Sequence, residues 1–221
     1  MSAPSRLAAA CAGPGLWIAC LLLVLVAAPA ARGAAAGPTE QLKAVIDQVL
    51  RILDDPAFKP EARLAERRKA VRRVADASFD FEDMARRALG QHWRSLTPDQ
   101  QREFVPLFAD LLDRAYISTI ERYSGEPIQY TDERVEGDLA LVSTKILTKQ
   151  HQEIPVGYRM TRHGDRWLIY DVSAEGVSLI ANYRTQFNSV IRTSSYEELV
   201  KRMRSRVEEF QAPQRPSLDT R

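Results

Sequence analysis

Hydrophobic and polar positions change their period along this chain, and the changes mark out its elements. The apolar residues Leu42, Val45, Ile46, Val49, Leu50 and Leu53 recur at three and four residues, the stripe of an amphipathic helix. It opens at Pro38-Thr39, with Thr39 as N-cap, and stops at Asp54-Asp55-Pro56. A second helix is predicted over about residues 60–77. Its exposed side is basic (Arg63, Arg67, Arg68, Lys69, Arg72, Arg73) and partly offset by Glu61 and Glu66, either a solvated face or a docking surface for an anionic partner. Asp80 caps a short helix over residues 81–89 that Gly90 ends. Thr97-Pro98-Asp99-Gln100 combines an N-cap, a first-turn proline and a capping box. It starts a helix to about Tyr123, roughly 39 Å long if straight, with Phe104, Leu107, Phe108, Leu111, Leu112, Ala115, Tyr116 and Ile120 on a broad apolar face. Pro106 removes one hydrogen bond inside it and predicts a bend.

Past Gly125-Glu126-Pro127 the period falls to two. Four strands are predicted over about residues 128–136, 139–148, 153–162 and 166–172, with turns at Glu136-Gly137-Asp138 and His163-Gly164-Asp165. In the third, Ile154, Val156, Tyr158 and Met160 alternate with Pro155, Gly157, Arg159 and Thr161, giving one buried and one wetter face. The fourth is different, because Trp167-Leu168-Ile169-Tyr170 puts large apolar residues on both faces, as suits a strand with apolar material on each side. After a turn at residues 173–176 the helical period returns with Val177, Ile180, Tyr183, Phe187 and Ile191. A capping box at Ser195 and Glu198 then opens a last helix carrying Leu199, Met203, Val207 and Phe210. Residues 211–221 are polar, hold two prolines and read as a disordered tail. Helices, a meander, then helices make an α+β fold: a curved antiparallel sheet of about four strands with helices on its concave side. Such a cone closes poorly at its wide end, where an apolar cavity can persist.

Composition narrows the compartment. The first 36 residues carry Arg6, a 13-residue apolar run over residues 16–28, and small residues suited to cleavage between 30 and 36, the plan of a secretory signal peptide. The run is short of the roughly 20 residues a membrane span needs. Both cysteines, Cys11 and Cys20, lie within the first 36 residues, so the mature chain has no disulfide, thiolate nucleophile or cysteine metal site. Loss of Arg6 and Arg32 leaves 29 basic and 29 acidic side chains, a balance that argues against a nucleic-acid partner.

Catalytic chemistry is sparse. His92, His151 and His163 are scattered through linkers and turns, and neither metal-binding nor phosphate-cradling motifs occur, so no metal or cofactor is expected. Gly176-Val177-Ser178 begins like a nucleophile elbow but lacks its second glycine; Ser178 reads as a first-turn helix hydroxyl. Asp171, at the end of an apolar strand, is the one acid placed to act as a general base on an apolar substrate. The better reading is that it bonds the turn before Gly176 or pairs with an arginine. Tyr116, Tyr158, Trp167, Tyr170 and Tyr183 have apolar bodies and polar tips, suited to a cavity mouth or to an ordinary core.

The stretch W-L-I-Y-D-V-S-A-E-G-V-S-L-I (residues 167–180), together with F-D-F-E-D-M-A-R-R-A-L-G-Q-H-W (79–93) and L-T-P-D-Q-Q-R-E-F (96–104), resembles the MlaC family. These are periplasmic phospholipid-binding components of the Mla transport system, also called toluene-tolerance or ABC-transporter auxiliary proteins. The likeness spans about residues 39–210, and D-V-x-x-E-G-V-S is fairly specific; Pro106 and the basic second helix are not part of the pattern. The resemblance implies a monomeric carrier rather than an enzyme. Its cargo would be a phospholipid, moved between an outer-membrane lipoprotein complex and an inner-membrane MCE-protein and ABC-transporter complex to maintain outer-membrane lipid asymmetry. The implied fold is an NTF2-like cone over residues 37–210, with acyl chains inside and headgroup outside. On that reading the lipid is lined by Phe108, Leu112 and Tyr116 of the long helix, Val142, Ile146, Val156, Tyr158, Trp167 and Ile169 of the sheet, and Val177 and Ile180 after Gly176. The sheet face is chosen by alternation, so a slip of one residue would exchange the set for its neighbours. The competing readings are an NTF2-like enzyme with Asp171 as general base, and a solid-cored assembly module.

Overall fold

The computed structural model describes residues 36–209. The signal-peptide and tail expectations lie outside the described residues. Six helices and a five-stranded sheet follow in the order α1 (Pro38–Asp54), α2 (Leu64–Ser78), α3 (Phe81–Leu89), α4 (Pro98–Glu121), β1 (Ile128–Glu136), β2 (Leu139–Leu147), β3 (Glu153–His163), β4 (Arg166–Ala174), β5 (Val177–Ser178), α5 (Leu179–Thr193) and α6 (Tyr196–Glu209). All strand pairs are antiparallel, in the order β1-β2-β3-β4-β5.

The α+β class and the four long strands agree with the sequence pattern, and three local differences have physical causes. Short 3₁₀ turns at Pro56–Phe58 and Glu61–Arg63 replace the expected first turn of the second helix, which starts at Leu64. The first helix is capped by Gly37 rather than Thr39, whose amide donates to Glu133 Oε2 at 2.9 Å. After β4, Glu175 and Gly176 both adopt positive φ (51° and 81°), so a tight two-residue turn sends Val177 and Ser178 back along Ser173 and Ala174. Val177 is therefore a strand residue, and α5 begins two residues later than periodicity suggests. Ser178 caps it, its Oγ accepting from the Ala181 amide at 3.0 Å.

The caps of α3 and α4 follow the expected chemistry. Thr97 and Gln100 bond each other's amides at 2.9 and 3.2 Å to start α4, and Asp80 Oδ1 accepts from the Asp83 amide at 2.9 Å to start α3. Pro106 is accommodated within a continuous α4.

Two bulges set what each sheet face presents. Between β1 and β2 the register shifts at Thr131, so Tyr130 pairs with Thr144 but Glu133 pairs with Val142. The extra residue brings Glu133 onto the inner face, beneath the positive N-terminal end of α1. Between β3 and β4 it shifts at Tyr170: Ile169 pairs with Met160, yet Asp171 pairs with Arg159. Since side chains alternate with period two, this extra residue moves Asp171 to the face opposite Ile169.

Three apolar clusters result. The largest joins α3, α4, α5 and α6 around Phe104, Phe108, Phe187 and Leu199, and includes Tyr170 from the outer face of β4. The second lies on the inner face, where Leu42 of α1 covers Ala140, Val142, Met160 and Ile169 with Phe79 and Trp167 packed against them. The third is small: Leu53, Val71 and Ile117 knit α1, α2 and α4 together. β4 thus has apolar packing on both sides.

Candidate functional site

The inner face of the sheet is laid out in cross-strand rows. One row is Val135, Ala140, Met160 and Ile169; the next is Glu133, Val142, Tyr158 and Val172; then come Tyr130, Thr144, Val156, Ala174 and Val177; the last is Ile128, Ile146 and Ile154. Residues paired across antiparallel strands share a face, so the six sheet residues selected by alternation, Val142, Ile146, Val156, Tyr158, Trp167 and Ile169, all lie on this one.

The rows are not covered equally. Toward Met160 and Ile169, α1 and Phe79 close the face into a packed core. Toward Ile146 and Ile154 the side chains are only half-buried, and Val177 at the row's end is 65% exposed. The C-terminal half of α4 contributes two more exposed apolar side chains, Tyr116 at 39% and Ile120 at 38%. The packed half ends in tyrosines, Tyr130 and Tyr158, and the open half is apolar.

The polar groups here are mainly hydroxyls that stay neutral. Burial pushes the Tyr158 phenol above its usual range, and Thr144 is its hydrogen-bond partner. Thr144 is itself buried and reaches the Val156 carbonyl at 3.2 Å. Tyr130 is pushed up to about 12 by burial, helped by the nearby carboxylate of Asp47. Away from this face, in the helical cluster, Tyr183 is pushed up to about 12 by burial and by donating to Tyr116, whose own phenol burial also raises. The rows from Tyr130 to Val177 and from Ile128 to Ile154 carry hydroxyl groups and no charged side chain, so they can meet an uncharged chain along their length and a polar group at their margin.

The remaining selected residues divide. Tyr116 stands at the exposed end of α4, hydrogen-bonded to Tyr183. Phe108, Leu112 and Ile180 sit in the helical core, where Phe108 stacks near Phe104 and meets Tyr183 and Phe187 edge-on. Sequence reasoning passed over Tyr130 and Ile128, because β1 reads as mostly polar. It also passed over Val49 and Ile117, whose helical stripes give no sign of which cluster they join.

Asp171 bonds the segment after the turn and pairs with an arginine, as its sequence position favours. On the outer face its carboxylate accepts from Ser178 Oγ at 2.7 Å, from the Ile180 amide at 3.1 Å and from Arg159 Nη1 at 2.8 Å, and it is 4% exposed. It ties β4 to the start of α5 across the Glu175-Gly176 turn. The D-V-x-x-E-G-V-S segment is therefore a structural joint: acid, turn pair and capping serine act on one another.

The basic side of α2 is largely engaged within the chain. Arg67 and Arg68 both donate to Glu121, at 3.1 and 2.8 Å, and Arg72 bridges Asp76 and Asp110 at 2.7 and 2.8 Å. His163 lies 3.0 Å from Asp80, and His92 is 2.9 Å from Asn188. Among the described residues no cluster suited to a metal ion occurs and no helix is long and apolar enough to cross a membrane.

Comparison with known proteins agrees with this architecture. The family described as "MlaC protein" matches residues 43–205. The intermembrane phospholipid transport system binding protein MlaC of Haemophilus influenzae is 22% identical over 129 residues, 56% of this chain. The chain spans 60% of the length of that relative. A phospholipid-binding protein from Ralstonia solanacearum, solved in complex with a phospholipid, superposes with a TM-score of 0.71 at 24% identity, over 80% of this chain and all of that one. The family match takes in well over half of the sequence, from α1 to α6, and the chain belongs to the MlaC family.

Proposed function

We propose that this protein is a periplasmic phospholipid carrier, reached through a cleaved N-terminal signal peptide, with residues 37–210 as its lipid-binding domain. It takes lipid from one membrane complex and gives it to another, an outer-membrane lipoprotein complex and an inner-membrane MCE-protein and ABC-transporter complex, and so maintains outer-membrane lipid asymmetry. The observation that carries the reading is the half-covered inner face: apolar rows ending in Ile146, Ile154, Val156 and Val177, facing away from the residues that hold the fold together. Family membership and the phospholipid in the Ralstonia relative support it.

The energetics suit a carrier. Two acyl chains of about 30 methylenes in all would cost roughly 24 kcal/mol to expose to water, at about 0.8 kcal/mol each. The protein must shield nearly all of them and yet release them to a bilayer that shields them as well. A wall of apolar side chains with neutral hydroxyls at its margin shields without holding the headgroup by charge. Phe108, Leu112 and Ile180 then serve as the helical backing of this wall, Val142, Trp167 and Ile169 as its packed part under Leu42, and Ile146, Val156, Tyr158, Tyr116 and Val177 as its lipid-facing surface. The carrier needs no reacting group, and Asp171, bonded on the outer face, is left to its joint.

The test is native mass spectrometry of the mature protein purified from a periplasmic fraction without detergent, followed by organic extraction. An intact phospholipid, one per protein, is the expected result. Protein without lipid refutes the carrier reading, and a chemically altered lipid would replace it with an enzyme.

A further inference from the structure

The outward side of α5 carries cations and no acid. Residues 176–196 contain neither Asp nor Glu, and residues 84–98, which lie against them, contain none either. The two segments run side by side. Gly90 adopts a positive φ of 55°, and its bare Cα lets the Arg184 stem lie over it: a side-chain carbon at Gly90 would stand 3.5 Å from Arg184 Cδ. Two residues on, His92 Nε2 meets Asn188 Oδ1 at 2.9 Å, one turn further along α5. Continued in the same direction, the chain brings Arg94 toward the end of α5 that carries Arg192. Arg184, Arg94 and Arg192 thus belong to one strip, about 12 Å long on α5.

The charge of this strip is not neutralised within the chain. All three arginines are exposed, and none has an ion-pair partner among the described residues. The acids that border residues 84–98 are already held, Asp83 by Arg86 and Arg87, and Asp99 by Arg102. The basic side of α2 differs, because its arginines Arg67, Arg68 and Arg72 are engaged with Glu121, Asp76 and Asp110.

What the strip lacks selects its partner. Stable interfaces between proteins are built round buried aromatic or apolar anchors. The large apolar side chains left exposed here, Tyr116, Ile120, Val135, Leu139 and Val177, all lie elsewhere. Between the arginines stand small polar residues, Gln91, Thr185 and Ser189, each exposed. Separate guanidinium groups on a polar surface suit an array of phosphates, where each cation adds its own increment and no pocket is needed. α5 starts two residues after Val177, and Arg184 stands about 8 Å along it, so a bilayer touching the strip is near the open edge of the sheet cleft.

We propose that this strip is a membrane-contact surface, which seats the protein on the headgroups of an anionic phospholipid bilayer through Arg94, Arg184 and Arg192. The contact goes beyond the carrier reading and does not depend on it.

The test is co-sedimentation of the mature protein with vesicles of phosphatidylglycerol and with vesicles of phosphatidylcholine, at low and at high salt. The expected result is binding to phosphatidylglycerol alone, weakening as salt rises. Arg94→Gln, Arg184→Gln and Arg192→Gln should each weaken it about fivefold, and the three together about a hundredfold. The triple control Arg51→Gln, Lys69→Gln, Lys149→Gln removes the same charge from other exposed positions and should keep most of the binding. Equal binding to both kinds of vesicle, equal loss in the two triple variants, or full binding by the strip variant would overturn the proposal. Absence of vesicle binding would overturn it too, and leave the strip to an acidic protein surface. Protein isolated without any phospholipid would refute the carrier reading alone, since sedimentation follows the protein and not its cargo.

Discussion

Val156 offers the sharpest test of which sheet face meets the lipid. It is 7% exposed, sits between Thr144 and Ala174 in its row, and shares that row with exposed Val177. In Val156→Arg the aliphatic stem can lie along the row and carry the guanidinium toward the open edge at Val177. Folding then loses no more than the burial of one valine, about 1.5–3 kcal/mol. The lipid loses more. A guanidinium in the cleft displaces about five methylenes from their apolar contacts, about 4 kcal/mol at about 0.8 kcal/mol each, or roughly a thousandfold in affinity. Pro155→Arg is the matched control, because Pro155 is exposed on the opposite face, one residue away. Native mass spectra of both variants, alongside near-ultraviolet circular dichroism and thermal melts, give the answer. Val156→Arg should be folded and empty, and Pro155→Arg folded and loaded. A folded Val156→Arg protein that keeps its phospholipid would refute the choice of face and the site built on it.

Other outcomes follow from the joints of the fold. Asp171→Asn should cost about 2–3 kcal/mol in denaturant unfolding, because the charge opposite Arg159 is lost; bound lipid should remain, whereas loss of a turnover activity would support an enzyme. Burial works against ionisation of Glu121, but hydrogen bonds from Arg68 and Arg67 outweigh it and hold its carboxyl below the usual value of 4.5. Its contribution to stability is therefore full above about pH 4.5 and is lost as pH falls through the lower folded value. Glu121→Gln should destabilise by about 1–2 kcal/mol at pH 7 and flatten that acid limb of the stability curve. Glu175→Asn, at a φ of 51° that asparagine tolerates better, should stabilise by about 0.5 kcal/mol, seen as a small rise in melting temperature.

Much of this architecture is written locally. The Thr97 capping box, the Asp80 cap and the alternation from Ile154 to Met160 each settle an element within a few residues, and the structure shows all three. Apolar residues on both sides of β4 likewise foretold its double packing, with Ile169 on the inner cluster and Tyr170 on the helical one. The bulges are another matter. An extra residue at Tyr170 changes the face of Asp171 without altering the character of any residue, so alternation alone puts Asp171 beside Ile169. The turn at Glu175-Gly176 similarly makes Val177 look like the first residue of a helical stripe. Partition of the helical apolar residues is also hidden: Phe108 and Tyr116 lie on one stripe, yet one is fully buried among the helices and the other stands exposed.

On the proposed reading, that partition bears on how a lipid carrier stays folded while its binding surface remains incompletely packed. An unfilled apolar wall loses the contacts that would otherwise stabilise it, and a protein whose only core was its lipid site would be marginal when empty. Here the largest apolar cluster lies on the other side of β4, where Phe104, Phe108, Phe187 and Leu199 need nothing from a ligand. Asp171 and Arg87 fasten β4 to that side, the first through Ser178 and Ile180, the second by stacking 4.0 Å above Tyr170. On the inner side, the packed rows under Leu42 hold the sheet's shape, so the open rows beyond Val156 are presented rather than supported by cargo. Stability and binding thus use opposite faces of one strand, and loss of lipid should leave the helical half of the molecule unchanged.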